Sequence, residues 1–142
     1  MSAFNHLVRL QKAREKIASG ALRAAYKMLA PLIEKNCADA IYLYSTFSFY
    51  RKESSEEFEK RRIRLLEQAT NLGYAKAACD LAYCFKYGNS VDQNLEKASL
   101  LFKFAAEAGD SHAKLEHGLD LFFWIKWNCS KQNDRVDVGS AS

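Results

Sequence analysis

The sequence predicts an all-α protein built from helical hairpins, and three observations carry that expectation. Apolar residues recur at spacings of three and four along most of the chain, the period of one helix face. Among 142 residues there is one proline, Pro31, and there are six glycines, which suits helices joined by short turns and argues against a strand-rich sandwich. The chain also resembles itself at a shift of 36 residues. A composition of 49% hydrophobic and 27% charged residues is that of a globular chain, and this length fits one domain with a packed core.

Element by element, Phe4, Leu7, Val8, Leu10 and Ile17 trace one stripe, which breaks at Ser19-Gly20. A second helix follows, with Leu22, Ala25, Tyr26, Leu29, Leu32 and Ile33 on its apolar side. Pro31 falls inside that stripe and is expected to kink or shorten the helix, because it removes a backbone donor. The segment 38–50 carries Ile41, Tyr42, Leu43, Tyr44, Phe47, Phe49 and Tyr50. Its length and Ala-rich start predict a largely buried helix rather than a strand. Ser54-Ser55-Glu56-Glu57 has the chemistry of an N-cap, with acidic residues at the positive end of the helix dipole. The helix it opens carries Phe58, Arg62, Leu65, Leu66, Ala69 and Leu72 and stops at Gly73. Further helices are expected over 75–87, ending near Gly88, over 95–108, ending at Gly109, and over 111–127. The polar segment 128–142 is expected to be a flexible tail.

The internal repeat is the most specific signal. Placing Gly73 over Gly109 sets Leu65 over Leu101, Leu66 over Phe102, Ala69 over Ala105, Ala77 over Ala113, Ala82 over Gly118 and Phe85 over Leu121. Small residues let the two helices of a hairpin approach closely, large ones fill the space between hairpins, and glycine makes the turn.

These residues resemble the Sel1-like repeat. The segment Tyr87-Gly-Asn-Ser-Val-Asp-Gln-Asn-Leu-Glu-Lys-Ala98 is similar to the family's linker, and Leu101-Phe-Lys-Phe-Ala-Ala-Glu-Ala-Gly109 to its paired aromatics followed by Ala-Ala-Glu-x-Gly. Ala113 and Gly118 sit where the family keeps small residues, and Leu81-Ala82 holds the Leu-Gly position one repeat earlier. Four positions depart from the pattern: Ser90 replaces a turn glycine, His117 a leucine, Phe104 a Lys or Arg, and Arg62 an alanine. The similarity is good over 59–124 and faint over 20–50, where Asn36 and Ala40 mimic the Gly and Ala positions. The resemblance implies a right-handed superhelix, an α-solenoid of stacked antiparallel hairpins with about seven helices. It divides the chain into an N-terminal capping helix over 1–19, a helical repeat domain over 20–127 and the tail over 128–142. It also implies a protein-binding adaptor of a bacterial kind, and within that class an immunity or regulatory protein.

Nothing in the residues points to catalysis or to a cofactor. His6, His112 and His117 are the only histidines, and the five-residue separation of the last two is wrong for a zinc pair on one helix face. By the repeat alignment His117 is expected to be a hydrogen-bonded core residue. No G-x-S-x-G, H-E-x-x-H or phosphate-cradling glycine loop occurs. Cys37, Cys79, Cys84 and Cys129 form no C-x-x-C pair, and they lack the regular spacing of the disulfide-stapled relatives of the Sel1-like class. They are expected to be reduced and structural, with no metal site. The N-terminus has no uninterrupted apolar region of a secretory signal, and no stretch approaches a membrane span. The cytoplasm is the expected location.

Three surface features remain. The run Lys60-Arg61-Arg62-Ile63-Arg64 could serve nucleic acid, but no aromatic is interleaved for base stacking, and the net charge is only +4. The plainer reading is a solvated face with Glu56–Lys60 and Glu57–Arg61 pairs. In solenoids the first helices of successive hairpins line a concave surface, which makes Arg61, Arg64, Gln68, Leu100 and Phe104 candidates for binding a protein or peptide. The repeat shift places Arg64 over Leu100 and Gln68 over Phe104, an apolar spot beside a basic one. Finally, Phe122-Phe-Trp-Ile-Lys-Trp127 is too apolar for all of it to face inward. Part is expected to cap the core, leaving Phe123, Trp124 and Trp127 for a partner, a homodimer or a further repeat.

Overall fold

The computed structural model describes the backbone of residues 3–140 and the side chains of 4–131. All regular structure among the described residues is helical, in seven α-helices. They are α1 (Ala3–Ala18), α2 (Leu22–Glu34), α3 (Ala38–Ser45), α4 (Ser55–Asn71), α5 (Ala75–Tyr87), α6 (Leu95–Glu107) and α7 (Ser111–Ser140). Each helix packs on the next in the chain, with the most extensive contact between α5 and α6. The result is a stack of three hairpins, α2–α3, α4–α5 and α6–α7, preceded by α1.

The turns of the three hairpins share one geometry. A left-handed residue ends the first helix: Asn36 (φ 56°), Gly73 (φ 90°) and Gly109 (φ 105°). The amide after it closes back five residues: Cys37 N to Leu32 O (2.9 Å), Tyr74 N to Ala69 O (3.0 Å) and Asp110 N to Ala105 O (3.0 Å). This is the Schellman closure, which satisfies carbonyls that the helix leaves open. Asn36 therefore does the work of a glycine in the faint first hairpin, and Ser90 (φ 62°) does the same in the α5–α6 linker. At the other ends, Ser54 and Glu57 form the reciprocal capping box of α4, and Asn94 and Asp110 side chains accept from Lys97 N and Ala113 N.

Two apolar clusters run through the stack. One joins α1, α2 and α3 through Leu10, Ala13, Ala25, Leu29, Leu32, Ala40 and Phe47. The other runs from Ile41 and Tyr42 through Ile63, Leu66, Leu81, Phe85 and Phe102 to Ala113, with Ile33 packed against both. The alanines predicted at the close approaches, Ala69, Ala77, Ala82, Ala105 and Ala113, are all fully buried.

Three helix bounds differ from the expectation. Pro31 lies within α2, which continues to Glu34, so the proline costs one donor without ending the helix. The third helix stops at Ser45, and 47–50 are not helical. Ser45 and Thr46 hydroxyls turn back onto the carbonyls of Tyr42 and Leu43, competing with the helix at its last turn. The last helix runs past Trp127, because 128–138 contain neither glycine nor proline to stop it. The expected tail lies partly outside the described residues.

Candidate interaction surface

The segment between α3 and α4 commits one of the predicted binding residues to the interior. Because α3 ends early, the carbonyls of Tyr44 and Phe47 need donors. Arg61 supplies them: Nη2 donates to Phe47 O (3.0 Å) and Nη1 to Tyr44 O (3.4 Å). Its Nε meets Glu53 Oε1 at 2.8 Å, and the guanidinium lies 4.6 Å from the Tyr44 ring centre. The Arg61 side chain is 14% exposed. Hydrogen bonds from Arg61 first, and from the Ser48 hydroxyl second, hold the Glu53 carboxyl below its ordinary range. Arg61 is thus a clamp for the 47–53 loop, not part of an exposed basic face. The expected Glu57–Arg61 pair is likewise replaced, since Glu57 turns back to accept from Ser54 N at 2.8 Å.

The rest of the α4 face is solvated. Lys60, Arg64 and Gln68 are exposed. Lys60 meets Glu56 at 2.7 Å, a pair of two exposed side chains that adds little. One hairpin later, Leu100 (64% exposed) and Phe104 (39%) stand one turn apart on the outer side of α6.

Beside Leu100 lies a groove between α6 and α7 of about 500 Å³. Glu96, Ser99, Leu100 and Lys103 of α6 form one wall, and His117, Asp120, Leu121 and Trp124 of α7 the other. The Ser99 hydroxyl donates to Asp120 Oδ2 at 2.6 Å across the groove. Of the predicted residues, the groove brings Leu100 and Trp124 together. Glu96, Ser99, Lys103, His117, Asp120 and Leu121 were not among the predicted binding residues. His117 is half-buried at the groove and belongs to neither apolar cluster, so the expectation of a core histidine fails. A core place there would require a further helix on top of it.

The repeat shift explains the groove. Moved back by 36 residues, Ser99, His117, Asp120 and Leu121 fall on Ile63, Leu81, Cys84 and Phe85. All four are buried, in the same cluster as Ala98, Phe102 and Ala105 of α6. Lys97 lies 4.3 Å from the Phe85 ring centre, and Asn94 N donates to Phe85 O. The groove is therefore the position on the last hairpin that α6 occupies on the one before it.

The 122–127 cluster is exposed throughout. Its expected share in capping the core is absent, because all six residues stand exposed and the buried core closes at Ala113. Phe123 and Trp127 face solvent outside the groove, with Lys131 Nζ 3.9 Å from the Trp127 ring. Glu116, on the inner side of α7, ties the helix to α5 by accepting from Lys86 (2.7 Å) and Tyr83 (3.2 Å).

All four cysteines are free thiols. Burial first, and Asp110 second, push the Cys79 thiol up to about 12, which keeps it protonated and unreactive. Among the described residues no group of His, Cys, Asp and Glu could hold a metal ion, and no helix is long and apolar enough to cross a membrane.

The fold is similar to that of a solved Sel1 repeat protein from Oxalobacter formigenes. The two chains superpose with a TM-score of 0.58 at 18% identity, over 68% of this chain and 39% of that one. This is a Sel1-like repeat fold. No family model matches the sequence, and no curated protein matches it.

Proposed function

We propose that the protein is a non-catalytic scaffold that binds a protein or peptide on its helical-repeat surface. The observation that carries this reading is the exposed Leu100–Phe104 pair beside the open α6–α7 groove. Large apolar side chains kept in water next to charged ones mark interaction sites more often than they mark ordinary surface. Arg64 and Gln68 are exposed at the equivalent positions of the preceding repeat, and Phe123, Trp124 and Trp127 are exposed along α7. The Sel1-like fold supports the reading as a frame of stacked hairpins with broad outward faces. The free thiols suit a reducing compartment, and we assign the protein to the cytoplasm of a bacterial cell. An immunity or regulatory role is the finer form of this proposal.

The test is capture of partners from the native cell by the wild-type chain and by Phe104→Ala and Trp127→Ala. Both side chains are exposed, so helicity is expected to be unchanged while the captured protein is reduced at least tenfold. A partner recovered equally by all three chains places binding elsewhere. For the immunity reading, co-expression with a toxin encoded beside the gene should restore growth, and continued killing rejects it. Nucleic acid is disfavoured, because Arg61 is consumed internally and Lys60 is paired.

A further inference from the structure

We infer that the α6–α7 groove receives α1 of a second copy, so that the protein assembles head to tail. This rests on the protein-binding reading above and names the partner. The first step is that the occupant is a helix: on the preceding hairpin α6 packs along α5, with Lys97 over Phe85. The second step eliminates the chain's own C-terminal segment. Residues 128–142 offer Cys129, Val136 and Val138 as their only apolar side chains larger than alanine, with no stripe at spacing three and four.

Helix α1 has what that segment lacks. Phe4, Leu7 and Val8 stand exposed at i, i+3 and i+4, with Val8 at the edge beside Met28 of α2, while Leu10 and Ala13 face the core. Charge agrees with shape. The helix carries Arg9, Lys12, Arg14 and Lys16 against Glu15 alone. The groove walls carry Glu96 and Asp120 against Lys103. A basic amphipathic helix therefore meets a groove with an acidic excess, the complementarity that orients helix-in-groove recognition. The α1 face and the α6–α7 groove are different surfaces of the chain. Such a heterologous contact leaves a free α1 and a free groove on every pair and propagates into chains or rings.

The groove also sets the strength of the contact. Three of the four positions that are apolar and buried on the preceding hairpin are Ser99, His117 and Asp120 here. A polar centre fits association that is reversible and concentration-dependent rather than obligate.

Light scattering on the full chain over micromolar to millimolar concentration tests the inference. The wild type should rise beyond twice the monomer mass. Leu7→Glu and Leu121→Glu, both at exposed positions, should each stay monomeric with an unchanged helical spectrum. An equimolar mixture of the two should form a dimer and stop there, because one intact α1 and one intact groove remain. A wild type that stays monomeric overturns the proposal. So does assembly that survives Leu7→Glu, which is the outcome of a symmetric contact through 122–127. If self-assembly fails while Phe104→Ala still loses a captured partner, the head-to-tail contact is wrong and the scaffold reading stands.

Discussion

The hairpins α4–α5 and α6–α7 follow the same repeat yet solve different problems. Their turns superimpose in type, at Gly73 and Gly109, and their close approaches use alanine at 69, 77, 105 and 113. The hairpin is set by these small and turn residues, which is why both copies keep them. Four aligned positions diverge instead: Ile63, Leu81, Cys84 and Phe85 are buried in the cluster that α6 joins, whereas Ser99, His117, Asp120 and Leu121 line a groove. Those residues record whether a neighbour is present. A repeat protein therefore writes its local fold and its stacking in separate positions.

The sharpest way to break this comparison is to truncate the same repeat position in both hairpins. Phe85→Ala removes a buried ring beneath α6 and is expected to cost about 3–5 kcal/mol. Leu121→Ala, at 48% exposure, is expected to cost less than about 0.5 kcal/mol. Urea unfolding of both variants below the self-association range measures the difference. Equal losses would mean that the groove is covered in solution and that the two hairpins are energetically alike.

A second contrast lies within α4. Arg61 and Arg64 are one turn apart in the same basic run, but only Arg61 closes the 47–53 loop. Arg61→Ala leaves the Glu53 carboxylate and two carbonyls without their donor and is expected to cost about 2–4 kcal/mol. Arg64→Ala, on the solvated face, should stay within about 0.5 kcal/mol. The clamp also has a pH signature. The Glu53 carboxyl is held below its ordinary 4.5 in the folded state, so the unfolded chain takes up its proton first as the solution is acidified. The stabilisation is complete above about 4.5 and is lost as pH falls through the lower folded value. Glu53→Gln should be less stable at neutral pH and should lack that part of the acid-induced decline, as followed by urea midpoints against pH.

How much of this was legible follows from the same division. Turn and packing residues act locally and recur, so the shift of 36 exposed both clear hairpins, and the resemblance to the repeat pattern pointed to Asn36 as a glycine substitute. The end of α3 was not legible. Seven apolar residues over 38–50 read as one buried helix, but hydroxyls at 45 and 46 and a guanidinium from α4 compete for its carbonyls. That competitor lies 14 to 17 residues further along the chain, beyond any local pattern. The alignment misled at His117 for a related reason: it assumed that a core position stays core where nothing covers it. The groove could have been found by asking which aligned pairs switch from apolar to polar, and Ser99 and Asp120 are the answer.

The smallest effect probes the turns that the hairpins share. Ser90 holds φ 62° where the repeat pattern has glycine, and Gly88 just before it holds φ 69°. A side chain in the left-handed region costs about 1–2 kcal/mol, which glycine avoids at the price of a more flexible unfolded chain. Ser90 recovers part of this through a hydrogen bond to Glu59 Oε2 at 3.1 Å, but the bond is exposed and weak. Ser90→Gly is therefore expected to stabilise by about 0.5 kcal/mol, raising Tm by roughly 1–2 °C. Gly109→Ala, at φ 105° with open space around a new Cβ, isolates the backbone cost alone and should destabilise by about 1 kcal/mol or more. Opposite signs for the two substitutions would show that the left-handed turn, rather than any side-chain contact, is what the repeat preserves. A loss of stability on Ser90→Gly would assign the linker to its bond with Glu59 instead.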